Sequence, residues 1–416
     1  MKFFMIKNKE KVSEYLTLIT TFFLLAFVFI IPFPRATAIE EISFYSAVIL
    51  AVISIKISDF SLKTPLTTPL AIFFLWALLT LPFAINKQNS IHDVYAHLLK
   101  YLVLFLLLYN YFNTIKKFKV LIWTLILSGG IFSFSALIYC YLILKTPLAG
   151  RFELHNYIEI PINIIGVIAV FMILLSLHQM MLETGKYRKL LIYFSISSLT
   201  LTTLATQTKS AILALVIGSL ISFPHNKKII TLYLLAIVLL MAVLPIKNRI
   251  SSEVILRQIQ GDERVKIWYA FHEMAKDHLY AGIGYGMQTY FDEKLLKKYN
   301  DCSPPKYRQV IPHKAPHNLF VDLAVRTGFI GLIVFLNVII VFIITAWKLI
   351  KSGKNTFIQG WALVVFSALI SFLIQSMFEN TLSGPPAHIM YTIFAIMMIL
   401  WKLNEEIKPT SDLIEK

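Results

Sequence analysis

Twelve apolar runs, at residues 16–31, 42–57, 70–83, 98–112, 120–144, 161–182, 190–205, 210–223, 229–244, 319–350, 357–378 and 387–403, dominate this chain of 416 residues. Each is of the order of length a helix needs to cross hydrocarbon, where every backbone N–H and C=O must be satisfied within the protein. With 57% hydrophobic and only 15% charged residues, too little polar surface remains to keep such runs in water. The expectation is an all-α polytopic membrane protein with about twelve transmembrane helices. Nine helices fall in residues 1–244, one long loop in 245–316, and three helices with a cytoplasmic tail in 317–416. No repeat of fixed period is visible, which argues against a transporter built from duplicated halves.

The formal net charge of +16 follows topology. Placing the N-terminus in the cytoplasm and alternating sides gives twenty lysines and arginines to the inner segments and five to the short outer loops. This is the positive-inside bias, so the basic residues report orientation, and nucleic acid is not an expected partner. Trp123, Trp347, Trp361 and Trp401 are expected at the inner interface. Basic residues, an apolar stretch and Ala36-Thr37-Ala38 imitate a cleavable secretory signal, but eleven further spans make a retained first helix the simpler account. Cys140 and Cys302 are both expected on the outer side; a bridge stays open, with two free thiols the simpler state.

A loop as long as 245–316 inside a membrane protein is usually functional. Val254, Arg257, Ile259, Val265, Trp268, Phe271, Ala275 and Leu279 recur at helical spacing, which predicts a helix over 251–279 along the outer membrane surface, ended by Gly282. Residues 292–314 are charged and carry Pro304, Pro305 and Pro312, so they read as an irregular segment able to act as a lid.

Several residues carry candidate chemistry. Pro316-His317-Asn318 opens the tenth apolar helix. At about 100° per residue, Ala324, Gly328 and Gly331 share the face of His317, predicting a tight groove, while Asp322 and Arg326 lie opposite and can pair. Histidine suits proton transfer near neutral pH; the bland alternative is an interfacial residue. Lys209, in the link between the seventh and eighth spans, is held at membrane depth, where it can grip a phosphate or merely snorkel. Arg264 can fork onto a diphosphate, with Trp268 one turn away. Gly282-Ile283-Gly284-Tyr285-Gly286 follows no Rossmann strand and reads as a flexible turn. Pro316 spoils His313 and His317 as a helical metal pair. Glu40 and Glu41 are either a metal-binding acid or a solvated loop, and Glu379 is placed to orient a cation or the imidazole.

Thr206 to Leu213, Arg264 with Trp268 and the glycine turn, and Pro316-His317-Asn318 with Gly328 and Gly331 together resemble the O-antigen ligase and polymerase superfamily of bacterial envelopes. The ligase branch is the most similar, and the resemblance covers mainly the second half of the chain. Where that family has arginine in the link, this chain has Lys209, which keeps the charge and loses the fork. The resemblance implies a GT-C-like, inverting, metal-independent glycosyltransferase without cofactor. Its donor would be O-antigen polysaccharide on undecaprenyl diphosphate and its acceptor the lipid A core oligosaccharide, at the periplasmic face of the bacterial inner membrane. His317, Arg264 and Lys209 would be catalytic, and Asn318, Trp268 and Glu379 would bind substrate. The motifs do not separate ligase from polymerase. A flippase for lipid-linked sugars is the alternative from another class, and a homodimer stays open.

Overall fold

The computed structural model describes residues 2–55, 60–148, 152, 161–224, 227–243 and 263–407, in which the regular structure is helical. In chain order the helices are α1 (Lys2–Ile30), α2 (Thr37–Ser54), α3 (Thr67–Leu79), α4 (Lys87–Asp93), α5 (Lys100–Tyr111), α6 (Ile115–Leu137), α7 (Ile162–Leu182) and α8 (Lys186–Ala205). They continue as α9 (Lys209–Ser222), α10 (Lys227–Val243), α11 (Glu263–Asp277), α12 (Glu293–Cys302), α13 (Leu319–Ser352), α14 (Thr356–Ser376) and α15 (Gly384–Glu406). One π turn, Val94–Leu99, joins α4 to α5, and another, Ile138–Ile143, extends α6.

The chain is an all-α polytopic membrane protein. Among the described residues, eight helical spans are long and apolar enough to cross a bilayer. In their described residues the expected twelve runs fall largely in helices, but Thr67–Phe83, Lys209–Ser222 and Ile230–Leu240 are shorter apolar helices, and α8 is diluted by Lys186, Arg188, Lys189 and its threonines. Helices α7 and α15 are apolar on every side and buried along most of their length, as helices at the centre of a bundle must be. Helices α1, α2 and α13 sit outside them and expose Phe22, Ile49, Ile53, Ile333 and Ile340, side chains suited to lipid. Trp361, in the first turns of α14, is fully buried, edge-on to Phe118 and His178. Small residues let helices approach. Gly130 of α6 faces Ser195 of α8, and Gly218 of α9 faces Ser371 of α14, whose hydroxyl donates to Ala214 O at 2.9 Å.

Helix α13 is broken at Gly328, whose φ of 71° and ψ of 175° belong to a region reserved for glycine. A break in a membrane-embedded helix frees backbone groups that must find partners. Ile283 N donates to Val325 O (2.8 Å), Gly284 N to Arg326 O (3.1 Å) and the Trp76 indole to Thr327 O (2.8 Å), while Phe329 N donates to Leu279 O (2.7 Å). The glycine run 282–286 is therefore pinned along the break, a correction to its reading as a flexible turn. Its Ile283 and Tyr285 are buried.

Beneath it lies an ion pair. Arg326 reaches Asp322 at 3.2 Å, as the i, i+4 spacing predicts, forks onto Tyr285 O and lies over the Tyr285 ring. Tyr290 donates to the other Asp322 oxygen at 2.7 Å; burial and that carboxylate push its hydroxyl well above the ordinary phenol value, so it stays a donor.

The loop carries its own small core of Ile267, Phe271 and Met274 from α11 with Ile283, Tyr290, Leu296, Tyr299 and Val325. The apolar side of α11 thus packs on α12 and α13. The expected helix over 251–279 is seen from Glu263, its earlier part lying outside the described residues. Within 292–314 the expectation of irregularity is corrected at α12: Asp292 caps Lys294 N and Leu295 N, and Leu296 and Tyr299 face the loop core. Cys140 is buried and Cys302 exposed, and both are free thiols.

Two outcomes test this frame. Gly328→Ala would bring a Cβ to 2.0 Å from Tyr280 O, and should lower stability by at least about 1–3 kcal/mol. Gly185→Ala, where nothing lies nearer than 3.4 Å, should not shift the melting temperature in detergent. Arg326→Leu should cost about 3–5 kcal/mol because Asp322 is left buried without its partner, and adding Asp322→Leu should recover part of that loss.

Candidate active site

The connector between α14 and α15 gathers side chains from four other parts of the fold. Asn318 caps α13, its Oδ1 accepting from Phe320 N and Val321 N, and its Nδ2 donates to Met377 O at 3.1 Å. This ties the start of α13 to the end of α14. Arg264, at the start of α11, lies over the Phe378 ring at 5.3 Å and reaches Glu379 Oε1 at 3.5 Å. Trp268, one turn further on, donates its indole N–H to Pro316 O at 3.0 Å. His317 Nδ1 stands 3.8 Å from Glu379 Oε2.

Glu379 is the hub. Its carboxylate is 5% exposed, whereas the side chains of Arg264 and His317 are each 36% exposed, so a buried anion holds two accessible groups at its rim. Its Oε1 also accepts from Asn163 Nδ2, at the start of α7. Asn163 Oδ1 in turn accepts from Thr208 Oγ1 at 3.1 Å, and Thr208 is the N-cap residue of α9, directly before Lys209. The Lys209 link is therefore joined to Glu379 through one asparagine. Lys209 is exposed, between buried Thr208 and half-buried Ser210.

Two non-glycine residues at this site are left-handed: His317 (φ 48°) and Gln207 (φ 51°). Such conformations are disfavoured for side chains with a Cβ and persist only when surrounding contacts hold them. Gln207 is the middle of the three residues that join α8 to α9, its N–H bonded to Leu204 O. His317 precedes the cap of α13 and is not part of the helix. The helical projection that put it on one face with Gly328 and Gly331 is thus corrected twice, since α13 begins at Leu319 and breaks at Gly328.

Of the residues singled out by sequence, His317, Arg264 and Glu379 meet directly, Lys209 adjoins through Thr208 and Asn163, and Asn318 and Trp268 bind backbone that fixes the others. Asn163 was missed. An asparagine in the first turn of an apolar helix was the available signal. The Glu40 and Glu41 carboxylates stand apart from this cluster, taken up by Lys100 at 2.9 and 2.7 Å. The His313 and His317 rings meet edge to face, with centroids 5.8 Å apart.

Chemically, the arrangement offers an imidazole beside a carboxylate, a guanidinium on the same carboxylate, and a lysine at a helix N-terminus. The imidazole suits proton transfer, and the guanidinium and the lysine suit anion binding. No curated protein matches the chain. Residues 193–336, which contain Lys209, Arg264, Trp268, His317 and Asn318 but not Asn163 or Glu379, match the family model described as O-antigen ligase. That segment is what the chain shares with the O-antigen ligase family.

Proposed function

We propose that the protein is an O-antigen ligase of the bacterial inner membrane, transferring polysaccharide from undecaprenyl diphosphate to the lipid A core oligosaccharide at the periplasmic face. The observation that carries this is Glu379, which holds Arg264 and His317 on one carboxylate and reaches the Lys209 link through Asn163. An acceptor hydroxyl attacks the anomeric carbon opposite the diphosphate while His317 takes its proton; the anomeric C–O bond to the diphosphate breaks, and the centre inverts. Glu379 beside Nδ1 orients the ring, leaving Nε2 for the acceptor.

The leaving group is already a stable anion, so it needs cations more than an acid. Arg264 and Lys209 supply them, with the first-turn amides of α9 adding partial positive charge. Trp268 and Asn318 position the Pro316–His317 segment through the backbone groups they hold. Beside Gln207, an apolar groove of about 310 Å³ between α6 and α8, lined by Leu137, Ile138, Tyr141, Leu142 and Leu201, suits a polyprenyl tail running from the diphosphate into lipid.

In a purified assay with lipid-linked donor and core acceptor, His317→Ala should lower transfer by about 100-fold or more, the scale of general-base catalysis. Near-normal turnover would remove the histidine from the reaction. Lys209→Arg should retain activity and Lys209→Ala lose most of it; equal rates in both would reject the phosphate contact. Product formation should require the core acceptor. Elongation of one lipid-linked glycan by another, with the core ignored, would make the protein a polymerase instead.

A further inference from the structure

The π turn Val94–Leu99 assembles a second polar constellation away from Glu379. In an α-helix, residues five apart point about 140° from each other. A π turn bonds residue i to i+5 and swings such a pair toward one side, and these turns recur at functional positions. Here it brings His97 back over the end of α4. Asp93 Oδ1 lies 2.9 Å from His92 Nδ1 and 3.7 Å from His97 Nε2, with all three ligand-type atoms within 4.8 Å of one another.

The carboxylate is 6% exposed, and the two imidazoles are 64% and 41% exposed. Its second oxygen accepts from Met287 N at 2.8 Å, and Asn89 Nδ2 supports the first at 3.3 Å. A ligating carboxylate is commonly oriented by such outer bonds. The nearest fixed cations are themselves paired, Lys100 with Glu40 and Glu41 and Arg326 with Asp322.

We propose that His92, Asp93 and His97 form a binding site for a divalent transition metal of borderline softness, of which Zn²⁺ is the representative probe. Two imidazole nitrogens and one carboxylate oxygen provide three ligands of the type such ions prefer, with a water completing a tetrahedron. The exposed imidazoles close the remaining ångström or so by rotating, while Asp93 stays fixed. The ion would be a staple. Asp93, Asn89 and Ser90 already hold the backbone at Met287, Gln288 and Gly286, so a cation on Asp93 locks the end of α4 to the loop that also lines the break in α13. This role is separate from the transfer reaction and stands or falls independently of it.

The test uses full-length, tag-free protein in detergent. Titration calorimetry with ZnCl₂ should find one ion bound at micromolar free metal, and Zn²⁺ should raise the melting temperature. His92→Gln with His97→Gln should weaken binding roughly tenfold or more and abolish the thermal shift. His272→Gln with His313→Gln should change neither. Co²⁺ bound to the unaltered protein should give the visible absorption of a tetrahedral site, which reads the geometry without any variant. Absence of zinc binding in the unaltered protein, undiminished binding in the His92/His97 variant, an octahedral cobalt spectrum, or equal competition by Mg²⁺ would overturn the assignment.

Discussion

A helix cannot be interrupted inside a membrane protein unless every backbone group released by the interruption is captured. The break in α13 at Gly328 meets that demand with the 279–284 segment and the Trp76 indole. Much else follows from it. Because Leu279, Ile283 and Gly284 are bonded to α13, the preceding helix α11 has a fixed bearing on α13, and Arg264 and Trp268 arrive beside the Pro316–His317 segment. The buried Asp322–Arg326 pair, capped by Tyr285 and Tyr290, makes the same junction costly to open.

Features that depend on neighbours in sequence were readable from the chain alone. The apolar runs became helices, Asp322 and Arg326 paired across one turn, and the polar tripeptide at 316–318 sits at a helix start with asparagine as its cap. Features set by a change in backbone course were not readable. The face shared by His317 and Gly328 existed only for an uninterrupted helix, and neither the cap nor the kink respects that periodicity. Helix α12 was obscured by its charge and by the prolines after it, although Asp292 and the spacing of Leu295, Leu296 and Tyr299 carried its signature.

The candidate site divides in the same way. His317 and Lys209 were singled out by residue type and their place at the ends of apolar runs, and Arg264 by its place on a helix of the long loop. Glu379 was read as an acid able to orient a cation or the imidazole, and its role as hub rests on Asn163, Arg264 and His317, which converge on it from distant parts of the sequence. Helix length was equally opaque to pattern: among the described residues α3 and α9 are apolar but short, so an apolar run does not by itself give a helix of full-span length.

The position of Glu379 has a consequence for biogenesis. It lies 216 residues after Asn163 and 115 after Arg264, in the connector before the last helix. A ribosome-bound chain that has been made only through α13 carries the histidine, arginine and lysine groups and lacks the anion that unites them. The candidate site is therefore completed late, when the connector between α14 and α15 comes into place.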